Sequence, residues 1–127
     1  DPVLEGLVRL AARSLRSPIA MVNVVDADSA WSIASTEAER SWVPREVAFC
    51  STVTDQRRAL VVHDLSGDAR FARHPLVTGE PHIRFYAGLP IGDGEHTLGT
   101  LCVLDTAPRD IDAAAREALE DLARVAS

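Results

Sequence analysis

Few side chains in this sequence have the type and setting for chemistry. They are four histidines (His63, His74, His82 and His96), two cysteines (Cys50 and Cys102), and the arginine and tyrosine of "PHIRFYAGLPI", residues 81–91. The histidines are not spaced as a zinc pair and no cysteine pair accompanies them, so neither metal nor haem is expected. His63 and His82 approach each other only if their strands are neighbours. Cys50 falls on a helical pattern, and a helix start can lower a thiol pKa. That allows redox sensing beside the plainer role of a small core residue. Catalytic signatures are missing: no Gly-x-Ser-x-Gly elbow, no His-Glu-x-x-His, no glycine-rich phosphate loop. The carboxylates of "DGEH", residues 93–96, sit on a turn with no partner in view.

The arginine and tyrosine are placed by strand parity. Neighbours on a strand point to opposite faces, so Ile83, Phe85, Ala87, Leu89 and Ile91 share one face, suited to packing on helices. Arg84, Tyr86, Gly88 and Pro90 share the other, which carries a guanidinium, a phenol and a gap left by glycine. Arg84 either reaches a bound anion or carboxylate, for which its fork of donors is suited, or pairs with Asp64 or Asp68 and holds a loop down.

The totals bound what these groups can serve. With 127 residues the chain makes one domain. The net charge of −6 disfavours nucleic acid as a partner. All 13 basic residues are arginine, which removes Schiff-base, phosphate-loop and general-base lysines. The separated cysteines in apolar surroundings read as free thiols in a reducing cytoplasm. Apolar runs such as "IAMV" and "ALVV" are too short to span a bilayer, and no signal peptide is expected. The first residue is Asp1 and both ends run into helical patterns, so a segment of a longer protein is expected.

The elements that must position these residues follow from periodicity. Leu4, Leu7, Val8, Ala11, Ala12 and Leu15 have helical spacing, with Pro18 as the stop. "IAMVNVVD" and "AWSIAST" form a hairpin, with Trp31, Ile33 and Ser35 on one side of its second strand. Residues 36–46 form a loop with Trp42 tucked in, and 46–56 a short helix. A strand over 59–65 precedes an irregular segment in which Asp68 caps a turn over 69–73, and Pro75, Gly79 and Pro81 prevent regular structure beyond it. Two strands, 82–92 and 97–106, join through an Asp-Gly turn. Ile111, Ala115, Leu119, Leu122 and Val125 stripe a last helix begun by Asp110 or Asp112. Val3, Leu10 and Val125 are the apolar residues that can fall outside the sheet-facing stripes. Hairpins dominate, so the class is α+β: a mainly antiparallel sheet with terminal helices on one face and the 44–82 region on the other, a setting for a pocket.

Several strings resemble the GAF domain family: "FYAGLPI" followed after a hairpin by "LGTLCVLDTAPR", together with "FCSTV" and "LVVHDLSGDARFARHPLVTGEPHIRFYAG". The resemblance runs from about Leu4 to Leu122. It implies a five- or six-stranded antiparallel sheet between helices, and a regulatory module in a multidomain signalling protein. Such modules sit beside output domains, often dimerise through terminal helices (here 2–16 and 110–126), and in some cases bind a small molecule between sheet and loops. A shift of residues 64–82 over the sheet would then reset the terminal helices and the attached output domain. On this reading Phe49, Cys50, Asp64, Phe71, His82, Arg84 and Tyr86 are the candidate ligand-facing residues.

Departures from the family's patterns narrow the ligand. Cyclic-nucleotide-binding members carry an Asn-Lys-Phe-Asp-Glu set, which a chain without lysine does not hold intact. Bilin-binding members attach chromophore through cysteine contexts unlike "FCST" and "LCVL", so no bilin is expected. Members that reduce free methionine sulfoxide use a loop cysteine cluster, whereas Cys50 and Cys102 fall on a helix and a strand. No enzymatic activity is therefore expected, with that reductase as the enzymatic alternative and a ligand-free dimerisation module as the other.

Overall fold

A computed structural model describes residues 2–17, 19–25, 30–36, 49–79, 82–92 and 97–126. Helix α1 (Pro2–Leu15) leads into strands β1 (Ile19–Val25) and β2 (Ala30–Ser35). Helix α2 (Phe49–Gln56), the short strand β3 (Leu60–Val62), a 3-10 turn (Leu65–Gly67) and helix α3 (Pro75–Thr78) follow. The hairpin β4 (Phe85–Gly92) and β5 (Thr97–Asp105) and helix α4 (Ala113–Ala126) complete the order. The strands form one sheet, β2-β1-β5-β4-β3, antiparallel throughout. This is the α+β architecture expected, with five strands among the described residues.

Strand parity makes two cores. On one face Ala20, Val22, Phe85, Ala87, Leu89, Ile91, Leu101 and Val103 pack against Val8, Ala11 and Leu15 of α1 and Leu119 and Ala123 of α4. On the other, Ile19, Met21, Tyr86, Cys102 and Leu104 meet Phe49 and Val53 of α2, Leu65, Phe71, Val77 and Ile83. Asp112 starts α4, its carboxylate accepting from the Ala115 amide (2.7 Å). Val3, Leu10 and Val125 stay 65%, 50% and 67% exposed; Ala123, not Val125, continues the buried stripe of α4. No helix among the described residues is long and apolar enough to cross a membrane.

Three expectations are corrected. Ile83 does not share the helix-facing side with Phe85; it lies in the second core. The cause is local: β4 starts only at Phe85, and His82 has a left-handed φ of 59°, so alternation does not extend through residues 82–84. The strand after Ala59 spans three residues. Residues Pro75–Thr78, expected to be irregular, form a helical turn instead. Pro75 needs no amide partner at a first helical position, and the amides of Val77 and Thr78 donate to the His74 carbonyl (2.9 and 3.0 Å). Trp42, His96, the turn at 93–96 and residues 46–48 of the expected helix lie outside the described residues, as do the side chains of β2, including Trp31.

Candidate functional site

The second sheet face, covered by α2, residues 63–79 and residues 82–84, is where Phe49, Phe71 and Tyr86 of the candidate residues meet. Phe49 opens α2 and is the centre of an aromatic group. It stacks on His74 (ring centroids 4.2 Å apart), meets Phe71 edge to face at 5.4 Å, and lies 5.3 Å from Tyr86 at a tilt. Offset and edge-to-face contacts of this kind add stability beyond area burial. Burial pushes the His74 imidazole below its ordinary pKa of 6.5, because a charged ring there loses hydration. The Arg70 guanidinium sits over the outer face of Phe71, 5.1 Å from its centroid.

Tyr86 lies flat over Gly88. A Cβ built on Gly88 would come within 2.7 Å of two ring carbons and overlap the phenol oxygen. The gap that glycine leaves on this face is therefore filled by the tyrosine two residues earlier.

Beneath the aromatic group the sheet centre is polar. Asn23 of β1 pairs with Thr100 of β5, and Cys102 pairs with Met21 on one side and Gly88 on the other. Directly paired residues share a face with Cβ atoms about 5 Å apart, so Asn23, Thr100, Cys102 and the Tyr86 phenol form one patch. The Asn23 amide nitrogen lies 3.6 Å from the Cys102 sulfur. Thr100 is fully buried, and its hydroxyl has no hydrogen-bond partner among the described residues. Close approach of β1 and β5 here depends on Gly99, since a Cβ at that position would overlap the Asn23 carbonyl oxygen.

The structure brings together Phe49, Phe71 and Tyr86 of the candidate set. Cys50 lies in α2, and its side chain is outside the described residues. Arg84 is half-buried and donates to the carbonyls of Val77 (2.9 Å) and Ile83 (3.2 Å). It holds the covering loop down through backbone carbonyls rather than through the expected carboxylates. Asp68 is taken by Arg70, with a 2.8 Å ion pair and a hydrogen bond from the Arg70 amide. That arginine holds the Asp68 carboxyl below its ordinary pKa. Asp64 is exposed and caps the 3-10 turn, accepting from the Ser66 hydroxyl (2.6 Å) and amide (3.1 Å). The Ser66 hydroxyl is the main cause of its lowered pKa, and the Arg84 charge a lesser one. His82 is exposed at the start of the 82–84 bend, away from the aromatic group.

Asn23 and Thr100 lie outside the candidate set. The signal was present. Each is a lone polar side chain in its apolar run, and parity puts Asn23 with Ile19 and Met21, and Thr100 with Cys102 and Leu104. A separate open groove of about 250 Å3 lies between β4 and α4, lined in part by Ala59, Pro90, Arg116 and Glu120. None of the candidate residues lines it.

The family model described as "GAF domain" matches residues 1–127. The chain belongs to the GAF domain family. A cyclic di-GMP phosphodiesterase of Pseudomonas aeruginosa is 37% identical over 110 residues, covering 86% of this chain and 19% of that protein. This GAF domain thus spans about a fifth of the curated relative's length. Among solved structures, the GAF domain of an Acinetobacter phosphoenolpyruvate-protein phosphotransferase superposes with a TM-score of 0.79 at 17% identity, covering 98% of this chain and 77% of that one. A free methionine-R-sulfoxide reductase of Neisseria meningitidis, solved with its substrate, gives 0.77 at 15% identity, covering 98% and 75%. At these identities the structural matches establish the fold alone.

Proposed function

We propose that this GAF domain is the regulatory, non-catalytic module of a cytoplasmic, bacterial-type signalling protein, and that it senses a small uncharged molecule on the second sheet face. The observation that carries the reading is the buried, unpartnered Thr100 hydroxyl within the Asn23–Cys102–Tyr86 patch. A face built only to pack would be more stable with an apolar side chain there. Proteins retain such costs where function uses the group. The relative's name, and the one-fifth of it that this chain matches, support an output domain that turns over a cyclic dinucleotide. Transmission and homodimerisation would run through α1 and α4, where Val3, Leu10 and Val125 are exposed.

Native mass spectrometry of the purified protein, compared with its denatured mass, tests the reading. A non-covalent mass increment that Thr100→Val abolishes is expected. A bare mass that persists after incubation with cell extract would overturn it.

A second reading, a ligand-free dimerisation module, is favoured by the way Phe49, Phe71 and Tyr86 already fill the face. It predicts the bare mass, with dimers lost on Leu10→Glu.

A further inference from the structure

Residues 105–112, between β5 and α4, read as a plain connector, but Arg109 within them touches four other parts of the fold. Its guanidinium donates to the carbonyls of Leu15 and Arg16 at the end of α1, the latter at 3.4 Å. Those carbonyls have no partner within the helix, and Arg16 ends α1 with a left-handed φ of 53°. The same guanidinium makes a half-buried 3.0 Å ion pair with Asp105 at the end of β5. It also lies over the Phe85 ring, 5.6 Å from the centroid, at the start of β4.

The Arg109 backbone faces the other way. Its amide donates to the His63 carbonyl (3.2 Å), and its carbonyl lies 2.9 Å from His63 Nδ1, which is also 3.3 Å from an Asp110 carboxylate oxygen. Both neighbours of Nδ1 accept, so that nitrogen carries the proton. His63 opens the segment that covers the second sheet face. The far end of that segment is tied in as well. The Leu65 amide donates to the Arg84 carbonyl (2.6 Å), and the Arg84 amide donates to the Asp105 carbonyl (2.8 Å). The Arg84 side chain in turn holds the end of α3.

We propose that Arg109 is the clamp that couples the cover of the second face, residues 63–79 and 82–84, to the last turn of α1. Moving the cover shifts His63 and Asp105, and Arg109 is bonded to both and to the α1 terminus. This rests on the sensing reading for its use, but its mechanics do not require a ligand.

The test is a double-mutant cycle read by hydrogen exchange on the intact chain. Phe71→Leu loosens the cover from within. Amide exchange is followed at residues 12–17, with Arg109 present and with Arg109→Gln. With Arg109, Phe71→Leu is expected to speed exchange at residues 12–17 by about threefold or more, in line with coupling between contacting groups. In the Arg109→Gln background that response is lost. If Arg109→Gln fails to fold, Arg109→Lys serves the same cycle, since lysine keeps the charge without the fork. Exchange unchanged by Phe71→Leu, or changed by the same factor in both backgrounds, would overturn the clamp. The two ideas fail separately. A bare native mass with an intact cycle removes sensing and keeps the clamp, and a bound ligand with no coupling does the reverse.

Discussion

Replacing Thr100 with valine tests the polar floor most directly. The side chain is fully buried, with a hydroxyl that makes no hydrogen bond. A buried polar group left unsatisfied costs about 1–3 kcal/mol. Valine keeps the branched shape on a central strand, where β-branched residues fit well, and puts a methyl group where the hydroxyl was. The ligand-free variant should therefore be more stable than the native protein by about 1–3 kcal/mol. For a domain of this size that is about 4 °C in Tm for each kcal/mol. Urea unfolding of protein shown to be ligand-free by native mass would measure it, with an unchanged m-value required for a clean comparison. Ligand retention should fall in the same variant, so stability and binding move in opposite directions. A destabilisation of more than about 1 kcal/mol would refute the reasoning, because it would mean that the hydroxyl is hydrogen-bonded in the folded protein.

Gly88→Ala should destabilise by about 1–3 kcal/mol, since the new methyl displaces the Tyr86 ring; urea midpoints should show a smaller loss in a Tyr86→Leu background, and an equal loss would refute the ring placement. Arg84→Ala should cost about 1–2 kcal/mol from its two carbonyl contacts. Combined with Asp64→Asn it should be additive within about 0.5 kcal/mol, and larger coupling would point to a contact ion pair. Stability should also fall on acidification through His74. Its folded pKa lies below the ordinary 6.5 because of burial, so the unfolded chain binds more protons as pH drops through 6.5 toward the folded value. The contribution of neutral His74 is complete above that window and is lost below it. The difference in Tm between pH 7.5 and pH 5.5 should shrink in His74→Gln, and an unchanged difference would count against burial as the cause.

What could be read from the sequence was whatever depends on local periodicity. The α1 stripe, the α4 stripe apart from Val125, the hairpin pairing of β4 with β5 and the opposite faces of Phe85 and Tyr86 all follow from spacings of 3.6 and 2. Errors began where that regularity stops. Strand parity fails at Ile83, two residues before β4 begins and one after His82 turns the chain. For Arg84 the sequence offers a bound anion or the carboxylates of Asp64 and Asp68, but the partners here are main-chain carbonyls, which carry no sequence signal. Asn23 and Thr100 lie 77 positions apart in the sequence and meet only through the β1–β5 register. Each strand by itself looked simply apolar. Arg109 carries no signal for a similar reason, since its partners at Leu15, His63, Phe85 and Asp105 come from four separate stretches of chain.

The aromatic group and the polar floor together constrain how any ligand could act. Tyr86 lies on Gly88, and Phe49 contacts both Tyr86 and His74, so this part of the second face is filled by side chains in contact with one another. On the sensing reading, a molecule that enters beside Cys102 must lift Tyr86 from its glycine or separate Phe49 from His74 and Phe71. Tyr86 is on a central strand, fixed by its pairing with Val62 and Leu104; Phe71 and His74 belong to the cover. The cover is therefore the part that yields, and it is the part bonded through His63 and Arg84 to residues 105 and 109. Binding and displacement of the clamp would then be one event, with the ligand favouring the opened state only by the hydrogen bonds it makes at the floor. A ligand that lacked a partner for Thr100 would have no such preference and would not signal, however well it filled the space.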